Sequence, residues 1–279
     1  MNNLGKKIGI VYHGRLDAAI ALSLDLEKTA RKTVASVWRA AAADEEGIRA
    51  QAIDSDVVVA VGGDGTLLRA ARALAGCPAP ILGVNLGKVG FMTELTASEA
   101  LENMPRIVAV DGWIDTRAML ESSHASREDC FIALNDVVLG RGATCRIVCI
   151  ETRIDGRLLT TYRADGVIVA TATGSTSYAL AAGGPIAYPQ SRDILLQPVS
   201  PHLSLSRCLV LPPDAIIELA VATDRPATLS IDGQVDIPVL NGERVTVRLS
   251  NKVVRFLRFH PPTHFYESLT HKLKGEMHC

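Results

Sequence analysis

Apolar residues in the first hundred positions come in two alternating textures. Short β-branched runs at Ile8-Gly9-Ile10-Val11-Tyr12, Asp56 to Val61 and Ile81 to Val84 read as strands. Between them lie helix-compatible stretches. Ala18 to Ala35 is one, although Leu22, Leu24 and Leu26 are too crowded to define a single face. Asp44 to Ile53 is a second, and a third follows Thr66 and stops at Gly76, with Pro78 just beyond. Thr96-Ala97-Ser98-Glu99 has the form of a capping box and opens a short helix to about Met104, where Pro105 intervenes. Strands alternating with helices predict a parallel sheet in an open α/β layer, whose ligands gather at the carboxyl ends of the strands.

From about Trp113 the pattern changes. Cys130 to Leu134, Val137 to Leu139, Ile147 to Ile154 and Arg157 to Tyr162 read as strands, the last pair joined by the hairpin turn Asp155-Gly156. Ile216 to Ala222, Ala227 to Ile231, Gln234 to Val239 and Val245 to Phe259 continue the series, with Asp232-Gly233 and Asn241-Gly242 as further turns. The predicted fold is therefore an α/β domain with a parallel sheet over residues 1–112, then a β-rich, mainly antiparallel, sandwich-like domain over 113–259. The tail, 260–279, either packs back on the first domain or extends freely. No internal repeat or low-complexity tract interrupts the chain.

Composition narrows the function. The chain has 279 residues, 48% apolar and 21% charged, which is globular, and a net charge of −1 offers no basic footprint for nucleic acid or a membrane surface. Aromatics at 4% argue against stacking platforms for single strands. The N-terminus runs into a strand without the apolar core of a signal peptide, and no stretch is long enough to span a bilayer, so a cytoplasmic protein is expected. Cys77, Cys130, Cys145, Cys149, Cys208 and Cys279 form no C-x-x-C pair and are expected as free thiols.

Candidate chemistry concentrates at Gly62-Gly63-Asp64-Gly65-Thr66, where a β-branched run ends and a helical pattern starts. Glycines let backbone approach a ligand, and the N–H groups of the following helix favour an anion such as phosphate. Asp64 would repel a phosphate unless a cation stands between them or the carboxylate is there to take a proton, which points to phosphoryl transfer. Two other glycine loops are excluded. Gly83 to Gly87-Lys88 has Val89 where a Walker loop needs a hydroxyl, and Gly63-Asp64-Gly65 leads to Leu68 where the dinucleotide fingerprint needs glycine. Asn85 to Met92, at the next strand end, adds glycines and Lys88, while Arg69 lies either towards phosphates or on the wet face of its helix.

A second concentration runs from Asp165 to Pro185. A strand leads into Gly174-Ser175-Thr176 and then a short Ala-rich helix closed by Gly183-Gly184, with Thr173, Ser175, Thr176 and Ser177 crowding hydroxyls beside Tyr178. Two further features read as incidental. His260 and His264 have metal-like spacing but enclose two prolines, and Lys252, Arg255 and Arg258 alternate faces of a strand instead of forming a stripe.

Gly62 to Thr66 resembles a signature shared by NAD kinases, diacylglycerol-type lipid kinases and phosphofructokinases. The segment Asp165-Gly166 followed by Thr171-Ala172-Thr173-Gly174-Ser175-Thr176-Ser177-Tyr178 resembles the NAD kinase family in particular, with Ala172 for its proline and Ser177 for its alanine. Asn135-Asp136 and Asp232-Gly233-Gln234 are similar to that family's Asn-Asp/Glu pair and Asp-Gly-Gln turn, in the same order. The resemblance implies transfer of the γ-phosphoryl of ATP to the 2′-hydroxyl of the adenosine ribose of NAD, with Mg²⁺ or another divalent cation and Asp64 as general base. The glycine turn offers Gly62, Gly63, Gly65 and Thr66 to the ATP phosphates, with Arg69 either joining them or lying on the wet face of its helix, and the resemblance further implies that Asp64 and Gly65 lie against the dinucleotide. Asn135 and Asp136 would bind its adenosine part, Asp165 the nicotinamide end, and Thr176, Ser177, Tyr178, Ala179, Leu180 and Ala181 would form an adenine pocket. Thr173, Arg146, Arg163 and Gln234 complete the implied dinucleotide site. A homodimer or homotetramer is implied too. A lipid or sugar kinase sharing the glycine turn, or an NAD(H)-binding sensor without turnover, stands as the alternative.

Overall fold

The computed structural model describes residues 5–87, 90–124, 130–142, 147–202, 205–222 and 226–273. The chain divides into two compact units, residues 1–116 with 254–279, and residues 117–253. The sequence placed this boundary at 112/113 and kept 254–259 with the β-rich half; the structure groups those residues with the first unit.

In the first unit the strands are β1 (Lys7–Tyr12), β2 (Ser36–Ala41), β3 (Val57–Val61) and β4 (Ile81–Asn85), with helices α1 (Asp17–Ala30), α2 (Glu45–Ala52) and α3 (Asp64–Ala73) between them. All neighbouring pairs are parallel, in the order β4-β3-β1-β2. A two-residue strand β5 (Leu95–Thr96) and helices α4 (Ala97–Glu102) and α5 (Met104–Ala109) complete it. In α1, Leu22 and Leu26 are one turn apart and buried, while Leu24 is 49% exposed, which resolves the crowding of leucines in the sequence. The Thr96–Glu99 capping box forms as expected. Pro105, read as a stop, instead occupies the first turn of α5, where its missing N–H has no intrahelical partner to lose.

The second unit is a two-sheet sandwich. One sheet contains β9 (Val148–Ile154), β10 (Arg157–Ala164), β14 (Ile217–Val221) and β17 (Arg244–Arg258), in the order β10-β9-β14-β17 and antiparallel throughout. The other runs β13 (Leu209–Leu211), β12 (Ile194–Val199), β11 (Gly166–Ala170), β8 (Asp136–Arg141), β15 (Ala227–Ile231), β16 (Val235–Val239), again antiparallel. A hairpin of β6 (Trp113–His124) and β7 (Cys130–Ala133) adds Leu120 and Ala133 to the core between the sheets. β6 and β17 each run from one unit into the other. β11 is buried on both sides: Val167 and Val169 enter the inter-sheet core, while Ile168 and Ala170 pack with Ala179 of α6 (Tyr178–Ala181) on the outer face. A last helix, α7 (His264–Leu273), lies in the tail. No helix among the described residues is long and apolar enough to cross a membrane.

Among the strands, the sequence reading missed β2, β5, β6, β12 and β13. β12 is the instructive case, because Pro198 and Gln197 disguise an interior strand whose Pro198 pairs with Val167.

Candidate functional site

The glycine turn is tighter than its sequence suggested, for α3 begins at Asp64 and not after Thr66. Gly63 is the N-cap, so Asp64, Gly65 and Thr66 form the first helical turn at the carboxyl end of β3. A carboxylate there meets the positive end of the helix dipole. The Gly62 N–H is spent on Val84 O at 2.9 Å, which ties the turn to β4. Gly63 and Gly65 are exposed, Asp64 and Arg69 half-buried and Thr66 buried. The Thr66 hydroxyl and the Asn85 side-chain amide nitrogen are both buried with no hydrogen-bond partner among the described residues.

Asp64 itself is held from the loop after β4. Its Oδ2 accepts the Phe91 N–H at 3.1 Å and its Oδ1 the Met92 N–H at 3.3 Å. That loop is anchored in turn by Arg258, buried at the end of β17, which donates to Met92 O at 2.8 Å and pairs with Glu94 at 3.1 Å and Asp115 at 3.2 Å. The other oxygen of Glu94 accepts the N–H groups of Phe259 and His260, both at 2.7 Å, and bonds the His260 ring at 2.9 Å. Arg258, read from the sequence as one of three scattered strand cations, is thus a support for Asp64. Lys88 lies outside the described residues.

In the second unit three separate segments converge. Asn135, just before β8, and Asp136, its first residue, are both buried. Thr171, just past β11, donates its hydroxyl to Leu134 O at 2.6 Å and its N–H to Asn135 O at 2.9 Å, and accepts the Gly174 N–H at 3.1 Å. Asp232, just past β15, accepts main-chain N–H groups of Leu134, Asn135 and Asp136. The Gly174–Thr176 stretch is a 3₁₀ turn, and α6 after it is a single helical turn closed by the Gly183 N–H to Leu180 O at 2.9 Å and the Gly184 N–H to Ala179 O at 2.8 Å.

Most of the clustered hydroxyls serve this backbone. Ser175 donates to Ala172 O at 2.7 Å and accepts the Ala187 N–H at 3.0 Å, and Thr176 donates to Thr173 O at 3.2 Å. Thr173 accepts from buried Arg117 at 3.2 Å. Ser177, Tyr178 and Ala181 are exposed, Leu180 half-buried and Ala179 buried under the turn. Asp165 is half-exposed and pairs with Arg141 at 3.2 Å, Arg163 is exposed on β10, and Gln234 is half-buried in the turn after Asp232. Arg146 lies outside the described residues. Sequence reasoning gave no individual role to Thr171, Asp232 or Arg117; Asp232 figured only as a turn residue and as the first member of the Asp-Gly-Gln resemblance.

Electrostatics single out Asp136. Burial first, and the charge of Asp232 second, push its carboxyl from the ordinary 3.8 up to about 7. Between about pH 4 and 7 the folded chain therefore holds a proton that the unfolded chain has released, so this group makes stability fall as pH rises through that window and level off above it. Asp136→Asn, a neutral isostere, is expected to be more stable than the parent by a margin that grows from pH 4.5 to 7.5, to on the order of 2–4 kcal/mol. Denaturant titrations at several pH values check this, and a margin independent of pH would contradict it.

Among the described residues no group of three or more His, Cys, Asp or Glu side chains could hold a metal ion. The His260 and His264 rings stack at 4.4 Å, but their Nδ1 atoms are each engaged by a carboxylate, Glu94 and Glu267.

Residues 11–112 match the model of the ATP-NAD kinase N-terminal domain, and residues 134–259 that of the ATP-NAD kinase C-terminal domain. The NAD kinase of Dehalococcoides mccartyi (strain BAV1) is 42% identical over 274 residues, covering 97% of this chain and 96% of that protein. The NAD kinase of Chloroflexus aurantiacus (strain J-10-fl) is 37% identical over 272 residues, 96% of this chain and 99% of its own. Among solved structures, an NAD kinase from Archaeoglobus fulgidus in complex with ATP superposes with a TM-score of 0.77 at 26% identity, covering 96% of this chain and 98% of that one. Yeast NADH kinase complexed with NADH gives 0.83 at 22% identity, covering 99% and 89%, a likeness of fold. With both domain models matched in order and relatives similar over nearly the whole chain, this protein belongs to the ATP-NAD kinase family.

Proposed function

We propose that this chain phosphorylates NAD at the 2′-hydroxyl of its adenosine ribose, with ATP as donor and Asp64 as the general base. Family membership carries the activity, that of an ATP-dependent NAD kinase. A lipid or sugar kinase shares only the glycine turn, whereas the match here continues through residues 134–259.

The observation that carries the role of Asp64 is its seat: a carboxylate at the first position of α3, steadied by two main-chain N–H groups. As the ribose oxygen bonds to the γ-phosphorus, its proton passes to the Asp64 carboxylate, the bond from phosphorus to the β,γ-bridging oxygen breaks, and ADP leaves with that electron pair. The N-terminal turn of α3, with Gly62, Gly63, Gly65 and Thr66, suits the phosphates of ATP, and Arg69 adds charge. In the second unit, Asn135, Asp136, Asp165 and the Thr173–Ala181 stretch, with Arg146, Arg163 and Gln234, bind the dinucleotide. The divalent cation, Mg²⁺ for instance, would come as part of the ATP substrate, held chiefly by its phosphates. The protein works in the cytoplasm as a homodimer or homotetramer, which light scattering would test.

An NADP-specific coupled assay on the purified protein with ATP, Mg²⁺ and NAD should show turnover, and its absence would remove the reading. Gly90 supplies a finer test. A Cβ there would lie 2.0 Å from Asp64 Oδ1 and 2.6 Å from its Cγ, so Gly90→Ala displaces the carboxylate from its seat. We expect kcat to fall by about 10²-fold with little change in melting temperature, since small misplacements of a reacting group are costly. Parent-like kcat in this variant would show that the seat is irrelevant.

A further inference from the structure

Asp232 occupies the turn after β15 with φ 51° and is 7% exposed. Its Oδ1 accepts the N–H of Asn135 at 2.8 Å and of Asp136 at 3.1 Å, its Oδ2 accepts the N–H of Leu134 at 3.0 Å, and its own N–H donates to Asp136 O at 2.9 Å. Three converging main-chain donors are the surroundings a carboxylate requires. We propose that Asp232 is a positioning residue of the dinucleotide site, holding Asn135 and Asp136 through their main chain and setting a fixed negative charge beside the Asp136 carboxyl.

The proposal rests on the reading that Asn135 and Asp136 touch the dinucleotide. Among the described residues, the segments that pair with Asp136 or hydrogen-bond its neighbours carry no other carboxylate besides Asp232. β11 contributes Ala170 opposite it, and Thr171 to Thr176 are uncharged. Gln234 in the Asp232 turn is neutral, and Arg117 on β6 donates to Thr173. Burial first, and the charge of Asp232 second, place the titration of Asp136 at about 7. Below that pH Asp136 is a hydrogen-bond donor and matches an acceptor, such as a ring nitrogen or ribose oxygen of an adenosine; above it the same side chain can only accept.

Calorimetric Kd values for NAD from pH 5.5 to 9, with kcat measured alongside, test this on the intact protein, Asp232→Asn and Asp136→Asn. The wild type should bind more weakly as pH rises through about 7. Asp232→Asn should weaken binding about tenfold with kcat within about threefold, and should move the inflection to lower pH because the neighbouring charge is gone. Asp136→Asn should bind without an inflection. Unchanged affinity in Asp232→Asn, or weaker binding with the inflection where the wild type has it, overturns the proposal. Should Asp232→Asn fail to fold, the other two proteins decide, and an inflection shared by wild type and Asp136→Asn overturns it. A wild type that binds NAD but makes no NADP would fail the kinase reading alone, whereas NADP formation with an Asp232→Asn affinity unmoved would fail this inference alone.

Discussion

Asp64→Asn should make NADP about 10² to 10⁴ times more slowly than the parent, a rise of about 3–5 kcal/mol in the barrier, while binding NAD with nearly parental affinity. The amide preserves size and shape. It can still accept one of the two N–H groups from Phe91 and Met92 that steady the carboxylate. What it lacks is the capacity to take a proton from the attacking hydroxyl, so the loss should fall on kcat and spare KM. Steady-state kinetics with calorimetry on the same sample separate the two. Turnover within a few-fold of the parent would take Asp64 out of the reaction and leave the glycine turn as a phosphate cradle only.

Gly174→Ala should disable the dinucleotide-binding unit. A Cβ at Gly174 would stand 2.1 Å from Asn135 O, 2.5 Å from its carbonyl carbon and 2.8 Å from its Cα, all main-chain atoms. That main chain has nowhere to move, because Thr171 bonds it from one side and Asp232 from the other. Overpacking against an immobile backbone costs about 1–3 kcal/mol or more, and relief by displacing Asn135 would cost the ligand site instead. The expected result is a lower melting temperature together with NAD affinity reduced at least about a hundredfold. Parental melting and a Kd within about threefold would mean that the close approach of these two segments is not required.

What could be read from the sequence was whatever depends on near neighbours. The Gly62–Thr66 turn, the Thr96–Glu99 capping box and the Asp155-Gly156 hairpin all formed, since each is decided by backbone preferences over a few residues. Elements whose residues are individually ambiguous were missed. Ser36–Ala41 is short and mixed, and Ile194–Val199 carries a proline that an isolated reading takes as a strand breaker. Within the hydroxyl cluster, Ser175 and Thr176 bond their own backbone while Ser177 and Tyr178 are exposed, a division that the order of residues along the chain does not display.

By itself the sequence determined the two-part fold, the kinase family and the position of Asp64, because periodicity, turn chemistry and ordered motifs are properties of contiguous residues. Only the tertiary structure decided what supports those groups. Arg258 steadies the Asp64 loop from more than 160 positions away, Asp232 grips Leu134 to Asp136 from almost a hundred away, and Asp136 sits in a buried, anionic surrounding that pushes its carboxyl towards neutrality. Burial and through-space charge act between atoms that folding brings together, so no spacing along the chain could have displayed them.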